Sequence, residues 1–258
     1  MNPAGPSRAA ALAGAGAPIA LWAVPRSRST AFARIMIERG DLEVVHEPFS
    51  YLIEEDGFTV GGQRAASMPD LLSALLAVNG EPRRLFFKDT SDYQYPELLA
   101  DDRLYRQVIN TFMIRNPAAA VASHHAVNPQ ATLAEIGFEY LHTMFTAVWA
   151  ATGEVPLVID GDDLVVAPEA IVRAYGDHVG LPFKPEAMQW QPGPTHTSWT
   201  RTARWHEAVE RSHGIVADAP RPVPVDDPHV RALIEHHQPF YDALYAHRLT
   251  VDPAPTSS

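Results

Sequence analysis

Pro18-Ile19-Ala20-Leu21-Trp22-Ala23 is followed by Val24-Pro25-Arg26-Ser27-Arg28-Ser29-Thr30, and then by a helix-like pattern from Ala31 to Arg39. An apolar run, a short polar loop and an amphipathic stretch read as strand, tight turn and helix. Backbone N–H groups at a helix start have no intrahelical partner, and the helix dipole favours an anion there. Three hydroxyls (Ser27, Ser29, Thr30) and two guanidiniums (Arg26, Arg28) crowd that point, and such groups form charge-assisted hydrogen bonds to phosphate or sulfate. The loop is a candidate phosphate cradle. It is not the Gly-x-x-x-x-Gly-Lys-Ser/Thr loop of nucleoside triphosphatases, because it holds neither Gly nor Lys.

Outward from this loop, apolar strand-like runs at 18–23, 42–46, 84–88, 109–114 and 155–160 alternate with helical patterns at 29–39, 69–78, 117–126 and 133–152. Short apolar strands alternating with helices predict an α/β fold, a parallel sheet with helices on both faces. Ligands of such sheets bind beyond the carboxyl ends of the strands. Polar residues recur at those ends: Arg26 after the first strand, Glu47 after the second, Lys88 after the third, Arg115 after the fourth. Further on, 168–179 reads as a helix with Pro at its start and Gly180 past its end. Pro192-Gly193-Pro194 breaks the chain, 195–204 is a polar loop holding Trp199, and 227–247 is a last helix. No internal repeat or linker divides the sequence. The expectation is one domain over 18–248, between a disordered leader at 1–17, which lacks the apolar stretch of a secretory signal, and a disordered tail at 249–258.

Composition narrows the function. A net charge of -11 over 258 residues argues against general nucleic-acid affinity, so an anionic cosubstrate needs a local basic pocket. Lys88 and Lys184 are the only lysines. The absence of cysteine excludes disulfides, thiolate catalysis and thiolate metal sites, and it fits a reducing cytoplasm. No run of about 18 apolar residues predicts a membrane span. The pairs His124-His125 and His236-His237 read as surface or pocket histidines, because neighbours on a helix point about 100° apart and make poor partners for one metal. No set of His, Asp and Glu has metal-ligand spacing. Asp162-Asp163 reads as a helix cap or loop feature.

The fourth strand ends in Arg115-Asn116-Pro117. If Pro117 starts a helix, Ser123 lies in its second turn, and Arg115 with Ser123 can clamp a second phosphate. An Arg satisfied at a strand end beside a Ser on a helix face is the plainer alternative. At this point the chain resembles the sulfotransferase family, whose donor is 3′-phosphoadenosine 5′-phosphosulfate (PAPS) and whose nucleotide product is adenosine 3′,5′-bisphosphate (PAP). The loop Pro25 to Thr30 is similar to the family's 5′-phosphate loop, and Ile114-Arg115-Asn116-Pro117 with Ser123 to its 3′-phosphate motif. Residues 159–164 with Pro168-Glu169 and Gly180-Leu181-Pro182-Phe183 resemble its last strand and following helix. Trp205-His206-Glu207-Ala208-Val209 with Ser212 and Gly214 resembles its closing cosubstrate-binding segment. The resemblance spans residues 18 to 214, and it implies the family's P-loop nucleotide-hydrolase-like architecture. It implies that Arg26, Ser27, Arg28, Ser29, Thr30, Arg115, Ser123, Trp205 and Ser212 bind the donor, without a metal.

The chain departs from the family in places. Arg26 stands where many members have Lys, Arg28 where many have Gly, and Ala31, with Phe32 beside it, where some place an adenine-stacking aromatic. The family's Lys-x-His after the third strand is Lys88-Asp89-Thr90 here, which keeps the Lys and lacks the His. A bacterial branch uses a Glu similar in position to Glu47 as the base, so the resemblance gives that role to Glu47 in His46-Glu47-Pro48-Phe49, with His46 as the alternative and Lys88 stabilising the bridging oxygen. A carboxylate beside an alcohol can act as general base. The competing reading is a Glu47 ion-paired to Arg26 or Arg28 to brace the loop. The implied activity is sulfuryl transfer to a hydroxyl or amine of a small-molecule acceptor. Acceptor walls are expected around Tyr51 to Met68 and Trp199, and a homodimer is left open. The rivals are an ATP-dependent phosphotransferase on the same scaffold and a non-catalytic nucleotide-binding relative.

Overall fold

β1 (Ile19–Ala23) is apolar at every position and buried on both faces, so it belongs in the middle of a sheet. In the computed structural model, which describes residues 7–80, 83–193, 209–215, 223–224 and 226–251, it does. With β2 (Leu42–His46), β5 (Arg84–Thr90), β6 (Ile109–Ile114) and β7 (Val158–Asp160) it forms a five-stranded sheet in the order β2-β5-β1-β6-β7. Every pairing is parallel, with Ala23 opposite Thr90 on one side and Met113 on the other, and His46 opposite Lys88. The carboxyl ends of β1, β2, β5 and β6 therefore share one edge. The chain leaves β1 toward β2 and later crosses to β6 on the other side, so the loop after β1 lies at the switch point where α/β sheets bind ligands.

Strand side chains alternate between two cores. Ile19, Leu21 and Ala23 face one layer with Phe32, Ile35 and Met36 of α2 (Ser29–Glu38) and Ile171, Tyr175 and Val179 of α11 (Pro168–Val179). Ala20 and Trp22 face the other, where α3 (Pro48–Glu54), α4 (Met68–Val78), α7 (Pro117–His125), α9 (Phe138–Thr152) and α12 (Pro228–Tyr245) pack. The buried Trp22 indole is satisfied: its Nε1 donates to Asn110 Oδ1 at 2.9 Å. Three shorter helices complete the layers: α5 (Pro96–Leu99), α6 (Asp102–Gln107) and α10 (Gly161–Val166). Among the described residues no helix is long and apolar enough to cross a membrane.

Four sequence expectations change. The stretch 133–152 is two helices, α8 (Leu133–Ile136) and α9, because Gly137 adopts φ 82° and a side chain there would run into Ser91. A two-stranded hairpin, β3 (Phe58–Val60) with β4 (Gln63–Ala65), was not anticipated. The leader at 1–17 holds helix α1 (Arg8–Gly14). Ser7 caps α1, the Arg8 amide donates to Glu154 Oε1 at 2.6 Å, and Leu12 and Ala13 pack on the core. A short Ala-rich helix gains its stability from such docking, which composition does not show. The tail, expected from 249, begins with an ordered residue: Leu249 N donates to Val158 O at 2.7 Å. Trp199, the loop 195–204 and Trp205 lie outside the described residues.

Candidate active site

The loop between β1 and α2 turns without glycine, and the backbone shows the strain. Arg26 (φ 65°) and Arg28 (φ 72°) both adopt the left-handed region that non-glycine residues seldom enter. Such strain persists where surrounding structure enforces it, and it clusters at functional sites. Arg28 is the N-cap of α2 and offers no side-chain cap, so the first N–H groups of that helix are not spent on their own cap. Ser27 is fully buried, and its hydroxyl has no hydrogen-bond partner among the described residues. A buried orphan hydroxyl is costly unless it serves a ligand.

Four further residues frame the loop. Ser123 in the second turn of α7 accepts from Arg26 Nε at 3.0 Å. Arg115, one residue past β6, reaches the loop carbonyl of Arg26 through Nη1 at 3.4 Å. Its Nε donates to Asp162 Oδ1 at 3.0 Å, and Arg28 Nε lies 3.7 Å from the same oxygen. Gly161 lets the start of α10 lie directly on the loop: a Cβ there would overlap the Ser27 carbonyl oxygen and sit 3.3 Å from that of Ile114. Arg115 and Ser123, which the sequence reading pairs, thus both contact Arg26. Asp162 corrects the sequence reading. The cap of α10 is Asp160, which accepts from the amides of Asp162 (2.7 Å) and Asp163 (3.3 Å), whereas Asp162 presents its carboxylate to two guanidiniums. The Asp162 side chain is 43% exposed against 12–13% for the two arginines, so water or a stronger anion can replace it at little cost.

On the other side of β1, Glu47 occupies the turn between β2 and α3 at φ 46° and ψ 48°, again left-handed. Its amide donates to Lys88 O at 2.6 Å, and its Oε1 receives Lys88 Nζ. His46 Nε2 lies 3.5 Å from Glu47 Oε2. Among the described residues Glu47 pairs with the buried Lys88, not with Arg26 or Arg28 as the competing reading had it. Next to Lys88, Asp89 is wholly buried, and its pKa is pushed up to about 7, chiefly by burial and further by the Glu47 charge. Asp92 is raised to about 6 by burial and the same charge, against hydrogen bonding from Thr90. A group of carboxyls held toward neutrality near one lysine is typical of sites that move protons.

Other candidates fall elsewhere. Phe32 is core, edge-on to Tyr175 with centroids 4.8 Å apart, and does not offer a face to adenine. Ser212 accepts from Trp190 Nε1 at 3.2 Å, and Trp190 lies over Arg34 of α2. Tyr51 stacks on Phe58 (6.2 Å, 3°), and its ring centroid is 6.5 Å from that of His46, which puts this aromatic pair beside the Glu47 turn. Tyr95 is core. His124 is buried rather than superficial, and burial followed by the Arg26 charge lowers its pKa to about 4. Among the described residues no group of three or more His, Cys, Asp or Glu is placed to hold a metal.

The chain is 26% identical over 239 residues to branched-chain-amino-acid aminotransferase-like protein 1 of Arabidopsis thaliana, covering 88% of this chain and 41% of that one. It thus spans about two-fifths of that relative's length. Among solved structures, a sulfotransferase domain from the curacin biosynthetic pathway matches with a TM-score of 0.46 at 13% identity, covering 85% of this chain and 96% of that one. A sulfotransferase from Alicyclobacillus acidocaldarius matches with a TM-score of 0.46 at 14% identity, covering 76% and 96%. A family model described as a sulfotransferase domain matches residues 17–248, which takes in the sheet, the glycine-free loop and the Glu47 turn, and the chain belongs to that family.

Proposed function

We propose that this protein transfers the sulfuryl group of PAPS to a hydroxyl or amine of a small-molecule acceptor. One observation carries the reading: a buried Ser27 hydroxyl, unpartnered among the described residues, at the start of α2, with Arg26, Arg28 and Arg115 gathered around the same loop. This set fits an adenosine bisphosphate. Ser27, Ser29, Thr30 and the first amides of α2 hold the 5′-phosphate, with Arg26 neutralising it. Arg115 and Ser123 hold the 3′-phosphate, and Asp162 gives up its arginines to the donor.

In this reading Glu47 takes the proton from the acceptor O–H or N–H as the acceptor atom bonds to sulfur. The bond between sulfur and the bridging oxygen breaks, and the electron pair stays on the 5′-phosphate of PAP. Lys88 and the loop donors stabilise that charge, and His46 is the alternative base. No intermediate is needed, so catalysis is positioning and electrostatics. A cytoplasmic setting and a homodimer accord with this reading. Phosphoryl transfer from ATP has no Gly-x-x-x-x-Gly-Lys to support it.

The test is turnover of sulfur-labelled PAPS over a panel of phenols, alcohols and amines, with Mg-ATP in parallel. Labelled sulfate ester or sulfamate with release of PAP supports the proposal. Phosphorylated product from ATP, or donor binding without turnover across the panel, contradicts it.

A further inference from the structure

We propose that Asp89 is a positioning residue that caps α3 from the neighbouring strand and so frees Glu47 to face Lys88, an inference that rests on Glu47 as the base. A helix start normally spends its N-cap side chain on the amides of N2 or N3. Here the N-cap is Glu47, which makes no such bond, and N1 is Pro48, which has no N–H. The two open donors are the amides of Phe49 and Ser50. Both go to Asp89, Phe49 N to Oδ2 at 2.6 Å and Ser50 N to Oδ1 at 3.3 Å. The Ser50 hydroxyl donates to Oδ1 at 2.5 Å, the Thr90 amide reaches Oδ1 at 2.9 Å, and the Tyr95 hydroxyl lies 3.3 Å from it.

The result is a division of labour between adjacent residues of β5. Lys88 grips Glu47 through its carbonyl oxygen and its ammonium. Asp89, which alternation places on the other side of the strand, locks the helix that follows. Glu47 is thereby held in a left-handed conformation although its side chain does not cap the helix. Where the family carries Lys-x-His, this chain places in the middle position a carboxyl that acts on the base instead of on the acceptor.

The experiment is a double-mutant cycle of Asp89→Asn with Glu47→Gln, reading PAP release from PAPS with 2-naphthol as acceptor and with water alone, beside PAP affinity by calorimetry. Asp89→Asn leaves one oxygen to serve two amides. A misplacement of this kind lowers kcat about ten- to a hundredfold. PAP affinity stays within about twofold, and the same change made in Glu47→Gln costs nothing further, because coupled sites are non-additive. An additive loss, or a parallel loss of PAP affinity, overturns the proposal and leaves Asp89 a general fold element. If Asp89→Asn does not fold, Ser50→Ala replaces it in the cycle. It keeps both amides and removes the hydroxyl that fixes Oδ1, and a non-additive fall in kcat of about threefold is expected. An unchanged or additive result overturns the proposal. Glu47→Gln turning over at the full rate defeats the base assignment itself, a separate outcome from additivity in a slow Glu47→Gln enzyme.

Discussion

The two ends of β1's neighbourhood solve opposite problems. The loop at Arg26–Arg28 concentrates positive charge and open donors, whereas the turn at His46–Glu47 concentrates carboxyls around one lysine. Both depend on non-glycine residues in the left-handed region, yet they are enforced differently. The loop is held by approach of backbone, with Gly161 against Ser27. The turn is held by hydrogen bonds, from Lys88 and from α3 to Asp89. A steric device fixes where an anion sits and is indifferent to pH. A hydrogen-bonded, ionisable device fixes a base and titrates with it. Donor affinity and turnover are therefore expected to separate cleanly between the two.

The largest effect expected is on the turn. Glu47→Gln lowers kcat by about a hundred- to ten-thousandfold, the range for loss of a general base, and leaves PAP affinity unchanged. Parallel calorimetry and PAPS turnover check this, and full turnover breaks the comparison. On the loop side the order reverses. Arg115→Ala weakens PAP by about ten- to a hundredfold, the worth of a charge-assisted bond of about 1.5–3 kcal/mol. Gly161→Ala tests the steric device. Overlap with the Ser27 carbonyl costs about 1–3 kcal/mol and lowers both Tm and PAP affinity. Normal PAP affinity in that variant contradicts the role given to backbone packing.

Two smaller effects sharpen the contrast. Asp89 has its pKa raised from 3.8 to about 7 in the folded state, so folding retains a proton there that the unfolded chain has lost. Its contribution to stability is full below about pH 4 and is lost as pH rises through about 7. The stability advantage of wild type over Asp89→Asn should therefore shrink between pH 4 and 7, as measured by urea unfolding. A widening gap contradicts the assignment. Smallest of all, Arg28→Gly relieves the left-handed cap and raises Tm by at most about 2 °C, while PAP affinity falls. A drop in Tm means that the Arg28–Asp162 pair outweighs the strain.

The sheet was legible because buried parallel strands are largely apolar runs, and the strands at 42–46 and 109–114, like the helix at 168–179, match the structure residue for residue. Arg26, Glu47, Lys88 and Arg115 were legible because strand ends in such a sheet converge. Asp162, Asp89 and Gly161 were not. Asp162 meets Arg115 from 47 positions away, and Asp89 meets Phe49 from 40, and no local period encodes such a contact. The burial of Phe32 was not legible for the same reason: Tyr175, which packs edge-on against it, lies far along the chain.

The central claim is that the glycine-free loop binds the nucleotide of a sulfuryl donor, and calorimetric titration of wild type and Arg115→Ala with PAP, beside ADP and Mg-ATP, tests it most directly. The account predicts one-site binding of PAP in preference to ADP and ATP, weakened by Arg115→Ala. Preference for ATP, or PAP binding indifferent to Arg115, would contradict it.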